Sequence, residues 1–130
     1  IDYKHLSELH QSDGIIIGDN LALSNLIATL KSFYEQVGFP DIRIRPSFFP
    51  FVEPGLEVYY HDDKLNDNIE LCGAGIIRKE ITKAMGLNKD VLAWGMGLER
   101  ILMRYLGIER ISELYENSVA WLRKRKEIIW

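Results

Sequence analysis

Three short segments carry residue types that could do chemistry. The first is Leu9-His10-Gln11-Ser12-Asp13-Gly14, which reads as a strand with Leu9, Gln11 and Asp13 on one face. An amide oxygen and a carboxylate side by side can both accept hydrogen bonds from an ammonium group, so this face suits an α-amine. A polar strand facing solvent would carry the same pattern. The second segment, Arg45 to Pro54, interleaves three prolines with three phenylalanines. Rings fixed between prolines make a preorganised apolar wall, with Glu53 at its rim. A loop plugging the core would use similar residues. The third is Gly95-Met96-Gly97-Leu98-Glu99-Arg100, a strand end, a glycine turn and a helix start. Glycines let a ligand approach the backbone, while a cation in a first helical turn opposes the helix dipole. An anionic or planar ligand at Arg100 would account for that placement, and so would an ion pair with a neighbour such as Glu99.

The elements that must position these groups follow from periodicity. Residues 8–17 end in the β-branched run Ile15-Ile16-Ile17 and read as a strand. Leu26, Ile27, Leu30, Phe33, Tyr34 and Val37 repeat at helical spacing, which predicts a helix over 24–37 with Ser24 as N-cap and Gly38 as its stop. Ile42 and Ile44 alternate with arginines in a short strand ending at Pro46, and 46–54 reads as a stiff loop. Strands over 56–61 and 69–77 flank a polar hairpin, and a short helix runs from about Ile77 to Met85. Val91 to Trp94 is a short apolar strand before the glycine turn, and 98–106 is a helix closed by Gly107. Helical pattern resumes at Ile111 and ends in the basic run 123–126. Strand-to-strand hairpins with interspersed helices predict an α+β class: a mainly antiparallel sheet flanked by helices, in one compact unit.

Composition narrows the function classes. The 130 residues are 47% hydrophobic and 27% charged, the balance of a globular domain rather than a disordered chain. Sixteen basic against nineteen acidic residues leave a net charge of −3, so no global electrostatic footprint for nucleic acid is expected. No apolar stretch is long enough to span a bilayer, and no basic-then-apolar leader opens the sequence, so neither a membrane nor secretion is expected. The single cysteine, Cys72, fits a reducing, cytoplasmic setting. No phosphate-binding glycine fingerprint or zinc-ligand spacing is present.

In this order the segments resemble the phenylalanyl-tRNA synthetase α subunit, a class II aminoacyl-tRNA synthetase. The resemblance runs from His5 through Trp121 and rests on His10-Gln11, Phe49-Pro50-Phe51-Val52-Glu53-Pro54, Glu70-Leu71-Cys72-Gly73-Ala74-Gly75 and Trp94 to Arg100. It implies a single partial class II catalytic domain over residues 1–130, joining its substrates L-phenylalanine, ATP and tRNA-Phe and working with a β subunit in a heterotetramer. Gln11 and Asp13 would then hold the substrate amino group. Phe49 and Phe51 would line the phenylalanine pocket, with Ala93 and Gly95 leaving room for the ring. Leu9, His10 and Arg100 would face the nucleotide, Arg100 packing on adenine. Glu53 would be one ligand of a magnesium ion (Mg2+) whose site the β subunit completes.

The sequence also departs from the family pattern. Leu9 replaces the usual phenylalanine that stacks on adenine, and Asp13 replaces a glutamate. One methylene fewer withdraws the carboxylate by roughly 1.5 Å, a misplacement that can cost on the order of a hundredfold in rate. The first arginine is Arg43, so the class II arginine on the α-phosphate and the dimer-forming motif are expected upstream. This chain alone is therefore expected to be inactive. Two alternatives stay open: a non-catalytic paralogue acting as a binding or dimerising module, and a class II enzyme of the pyrrolysine or phosphoserine branch.

Overall fold

The computed structural model describes residues 9–63, 66–115 and 118–124, with the side chain of Lys124 left aside. The opening residues through Glu8, the hairpin tip at 64–65 and the basic end beyond Lys124 lie outside the described residues. The chain divides into two compact units: Ser12–Met96, and Ile1–Gln11 together with Gly97–Trp130.

Strands β1 (Gln11–Gly18), β2 (Arg43–Pro46), β3 (Val52–Asp62), β4 (Asp67–Ile77) and β5 (Asp90–Gly97) form one sheet in the order β1-β5-β4-β3-β2. The β2–β3, β3–β4 and β4–β5 pairings are all antiparallel. Helix α1 (Leu23–Gln36) and the short α2 (Lys79–Ala84) complete the larger unit. The α+β, mainly antiparallel expectation holds.

Helix α1 forms because its apolar residues repeat on one stripe, which it buries through Leu26, Leu30 and Tyr34. It begins earlier than Ser24. The Asn25 side chain accepts the Ala22 N–H at 2.8 Å while the Asn25 N–H donates to the Ala22 carbonyl at 3.0 Å, so Asn25 rather than Ser24 secures the entry. Gly38, at φ 80°, reverses the chain, and the Phe39 N–H donates back to the Tyr34 carbonyl at 2.7 Å. Phe33, Tyr34, Phe39 and Tyr60 then meet edge-on in sequence, with centroids 5.0–6.2 Å apart. Each buried leucine contributes about 1.5–3 kcal/mol, and Leu30→Ala would cost about 2–5 kcal/mol with its cavity.

Strand alternation sorts the sheet into two faces. Leu56, Val58, Cys72, Ala74, Leu92 and Met96 are buried on the core face. Gly55, Glu57, Gly73, Gly75, Ala93 and Gly95 share the opposite face through the pairs Gly55↔Gly75, Glu57↔Gly73, Gly73↔Gly95 and Gly75↔Ala93. Two sequence expectations change here. Val52 to Pro54 is already strand, and Gly95-Met96-Gly97 is the end of β5 rather than a turn. Met96 explains the second difference, because its side chain is 4% exposed and extends the core-facing alternation.

In the smaller unit, α3 (Leu98–Leu106) ends at Gly107 in the left-handed conformation, as its stripe and glycine predict. The helix expected from Ile111 is a 3-10 turn, Ile111–Leu114, followed by α4, Val119–Lys124. Among the described residues no helix is long and apolar enough to cross a membrane.

Candidate functional site

In the larger unit the glycine-lined face carries an aromatic arch. Ser47 donates its N–H to the Gly55 carbonyl at 3.1 Å and its hydroxyl to Glu57 at 2.7 Å, while Val52 pairs with Ile77. Residues 48–51 therefore span two pinned ends, and the Val52 N–H closes the turn onto the Phe49 carbonyl at 3.3 Å. Arg45 reaches the same Glu57 carboxylate at 2.7 Å. The Ser47 hydroxyl holds that carboxyl below its usual range; partial burial opposes the effect, and Arg45 reinforces it.

The arch lays the Phe49 ring directly on the sheet. A Cβ built on Gly73 would lie 2.9 Å from Phe49 Cζ, and one on Gly55 would meet the Ser47 carbonyl oxygen at 2.6 Å. Only residues lacking a Cβ let the ring come this close. Phe51 lies beside Phe49, with centroids 6.2 Å apart and planes 27° from parallel, and remains half exposed. Gly95 is the cross-strand partner of Gly73, and Ala93 that of Gly75. Phe49, with Phe51 beside it, thus sits over Gly73, and Ala93 and Gly95 lie on the same face of the sheet in the next strand. Asp13 belongs to the same face by alternation, because the adjacent Gly14 lies under the Trp94 ring on the core side.

Glu53 is placed differently from a metal ligand in a cage. Its carboxylate is 68% exposed and accepts from the Arg78 guanidinium at 3.2 Å. Among the described residues no group of three His, Cys, Asp or Glu side chains could hold a metal ion. Magnesium takes near-octahedral oxygen ligands, so among the described residues Glu53 offers one carboxylate toward such a set and not a site by itself. Arg78 also donates its backbone N–H to the Phe51 carbonyl at 3.0 Å, which ties one residue to both the arch and the carboxylate.

The smaller unit holds Leu9, His10, Gln11 and Arg100. Leu9 is exposed, and Gln11 opens β1. His10 is clamped to the start of α3 through backbone and ring. Its carbonyl accepts the Leu98 N–H at 3.0 Å, and its own N–H donates to Glu99 Oε1 at 2.6 Å. Its Nδ1 lies 3.0 Å from the same oxygen and 2.9 Å from the Tyr115 hydroxyl, which itself donates to Glu99. Burial pushes the Glu99 carboxyl up, but the hydrogen bonds from Tyr115 and His10 outweigh it and hold the group below its usual range. Glu99 is thus committed to His10 and Tyr115. Arg100 follows it in the first turn of α3, half buried.

Sequence reasoning gave no role to Gly73, Arg78 or Tyr115. Gly73 and Gly75, two apart on a strand, carried a usable signal, because period two puts both on one face. Tyr115 carried none, since its partner is 16 residues away across a helix and a turn.

A family profile described as the class II core domain of tRNA synthetases (F) matches residues 1–125. The phenylalanine–tRNA ligase alpha subunit of Methanococcus vannielii is 47% identical over 125 residues, covering 95% of this chain and 25% of that protein. The counterparts from Methanocaldococcus jannaschii and Saccharolobus solfataricus are 45% and 40% identical, over 95% and 97% of this chain and 26% and 27% of theirs. The chain therefore spans about a quarter of the length of these relatives. Among solved structures, pyrrolysyl-tRNA synthetase from Desulfitobacterium hafniense superposes with a TM-score of 0.69 at 17% identity, over 91% of this chain and 41% of that one, which is a likeness of fold. A profile match over nearly the whole chain and a shared antiparallel core agree: this chain belongs to the class II core domain family of tRNA synthetases (F).

Proposed function

We propose that this chain is part of the catalytic domain of a cytoplasmic phenylalanine–tRNA ligase alpha subunit. In the reaction, the carboxylate of L-phenylalanine attacks the α-phosphate of ATP and pyrophosphate leaves. A hydroxyl of the terminal ribose of tRNA-Phe then attacks the acyl carbon and AMP leaves. The observation that carries this reading is the Phe49 ring seated on Gly73 beside Ala93 and Gly95, a shallow apolar face fit for a flat side chain. The names of the relatives support the amino acid.

Each side chain has a role in this reading. Phe49 and Phe51 contact the substrate ring edge or face, and Ala93 and Gly95 set the space. Asp13 and Gln11 accept hydrogen bonds from the ammonium group. Leu9 and His10 border the nucleotide, and Arg100 stacks on it and offsets its charge. Such groups act by positioning and charge stabilisation rather than by bonding to substrate. The family uses magnesium with ATP. Glu53 alone does not make a site for that ion, so no step is assigned to it, and completion by a beta subunit belongs to the same proposal.

The test is phenylalanine-dependent exchange of pyrophosphate into ATP by the full alpha chain carrying this sequence, assembled with its beta partner. Exchange specific to phenylalanine is expected. Exchange with another amino acid would point to a different class II substrate, and no exchange to a non-catalytic paralogue.

A further inference from the structure

Glu99 is a carboxylate only 4% exposed, and it is engaged by His10 and Tyr115. One of its oxygens receives the His10 backbone N–H, the His10 ring Nδ1 and the Tyr115 hydroxyl. A carboxylate only accepts, so the His10 ring carries its proton on Nδ1. The Tyr115 ring lies nearly parallel to that of His10, at 9° and 6.0 Å between centroids. The Leu98 N–H closes the loop by donating to the His10 carbonyl at 3.0 Å. Both backbone groups of His10 are thus fixed against the first turn of α3. Gln11 follows His10 directly, and Arg100 follows Glu99.

We propose that Glu99, held in place by the Tyr115 hydroxyl, is a positioning residue that sets Arg100 and Gln11 for nucleotide and amino acid through its grip on His10. The proposal rests on the functional reading given above. A buried carboxylate that accepts three hydrogen bonds at one oxygen has a single orientation, so it can transmit a fixed geometry to the residues on either side. Tyr115 adds no contact to substrate. Its part is to satisfy and aim Glu99 from a segment beyond α3.

The experiment uses the assembled synthetase with Tyr115→Phe, Glu99→Gln and the double variant. It reads melting temperature together with kcat and KM for ATP and phenylalanine in pyrophosphate exchange. Loss of positioning predicts a KM for ATP raised about fivefold by Y115F and about tenfold or more by E99Q, with kcat changed less. Because Tyr115 acts through Glu99, the double variant should be no worse than E99Q alone. Y115F removes one oxygen from a partly exposed ring, so it carries the test even if E99Q does not assemble. Lowered melting temperatures with both KM values unchanged would overturn the proposal and leave the cluster a stabilising contact. Additive effects of the two substitutions would overturn it as well. A wild-type enzyme without phenylalanine-dependent exchange would fail the functional reading itself, and this proposal with it.

Discussion

The ring of Phe49 rests on the backbone of Gly73, close enough that a single added methyl group would stand 2.9 Å from its Cζ atom. In the proposed function, that contact makes a strand position set the depth of the phenylalanine pocket. Gly73→Ala should push the ring outward at about 1 kcal/mol of stability, in the range of a mild overpacking. The KM for phenylalanine should rise several-fold while the KM for ATP is unchanged. Unchanged affinity for phenylalanine would show that Phe49 does not shape the pocket.

Ala93 tests the lateral wall. It is the cross-strand partner of Gly75, on the face that carries Gly73 and Gly95. Apolar pockets discriminate single methylenes by only about 1–3 kcal/mol, but they reject larger groups by volume. Ala93→Gly should therefore admit para-halogenated phenylalanines, and Ala93→Val should exclude phenylalanine. The ratio of kcat/KM for phenylalanine and its para-chloro analogue is the measurement. An unchanged ratio in A93G would remove Ala93 from the pocket.

The fold was largely readable because its signals are local. The α1 stripe, the left-handed stops at Gly38 and Gly107 and the alternation in β3 and β4 depend on residues a few positions apart. Expectations missed where a partner strand, or a competing side chain at a helix start, decided the outcome. Gly95 and Gly97 suggested a turn, yet pairing with β4 and burial of Met96 keep the segment extended. Ser24 suggested a cap, yet Asn25 bonds Ala22 on both sides and starts the helix sooner. Within the site the aromatic arch was legible from Phe49-Pro50-Phe51, since proline stiffness is a property of the chain itself. The floor beneath it was legible only in part: period two puts Gly73 and Gly75 on one face, but which ring covers them depends on the register between β3, β4 and β5. Arg78 was missed for the same reason: Glu53 lies 25 residues away.

Arg100 should matter for nucleotide and little for folding. Its neighbour Glu99 is held by His10 and Tyr115, which fixes the first turn of α3 on which Arg100 sits. Arg100→Ala in the assembled enzyme should raise the KM for ATP on the order of a hundredfold, as expected when a stacked, charged guanidinium is lost. Wild-type ATP affinity in that variant would rule out the assigned role.

Cys72 supplies a prediction about pH. Burial pushes its thiol up to about 12, and Tyr34, whose hydroxyl is buried against it, is raised too, chiefly by its own desolvation. A raised thiol pKa favours the neutral form in the folded state. That stability is complete below the unfolded thiol's range and is lost as pH climbs toward about 12. Two outcomes are expected. Iodoacetamide at pH 8 should leave Cys72 unmodified in the folded protein, as read by peptide mass spectrometry, and modify it fully in urea. The alkaline loss of stability should be shallower in Cys72→Ala. Rapid alkylation under native conditions would contradict the burial.

The isolated chain should not form phenylalanyl-adenylate. It covers about a quarter of the length of its relatives, and its first arginine is Arg43, on the edge strand β2. Glu53 is occupied by Arg78 and has no companion ligands among the described residues, so magnesium binding should be weak. The other edge strand, β1, exposes Ile15 and Ile17, so the isolated chain should also self-associate in a concentration-dependent way. Incubation of the 130-residue chain with phenylalanine, ATP and magnesium, with detection of the adenylate by mass spectrometry, is the measurement. Product in that assay would mean that an arginine here assigned to structure, Arg45 or Arg78, neutralises the reacting phosphate. Arg45→Ala and Arg78→Ala would then identify which one, because only loss of the working group would abolish the signal.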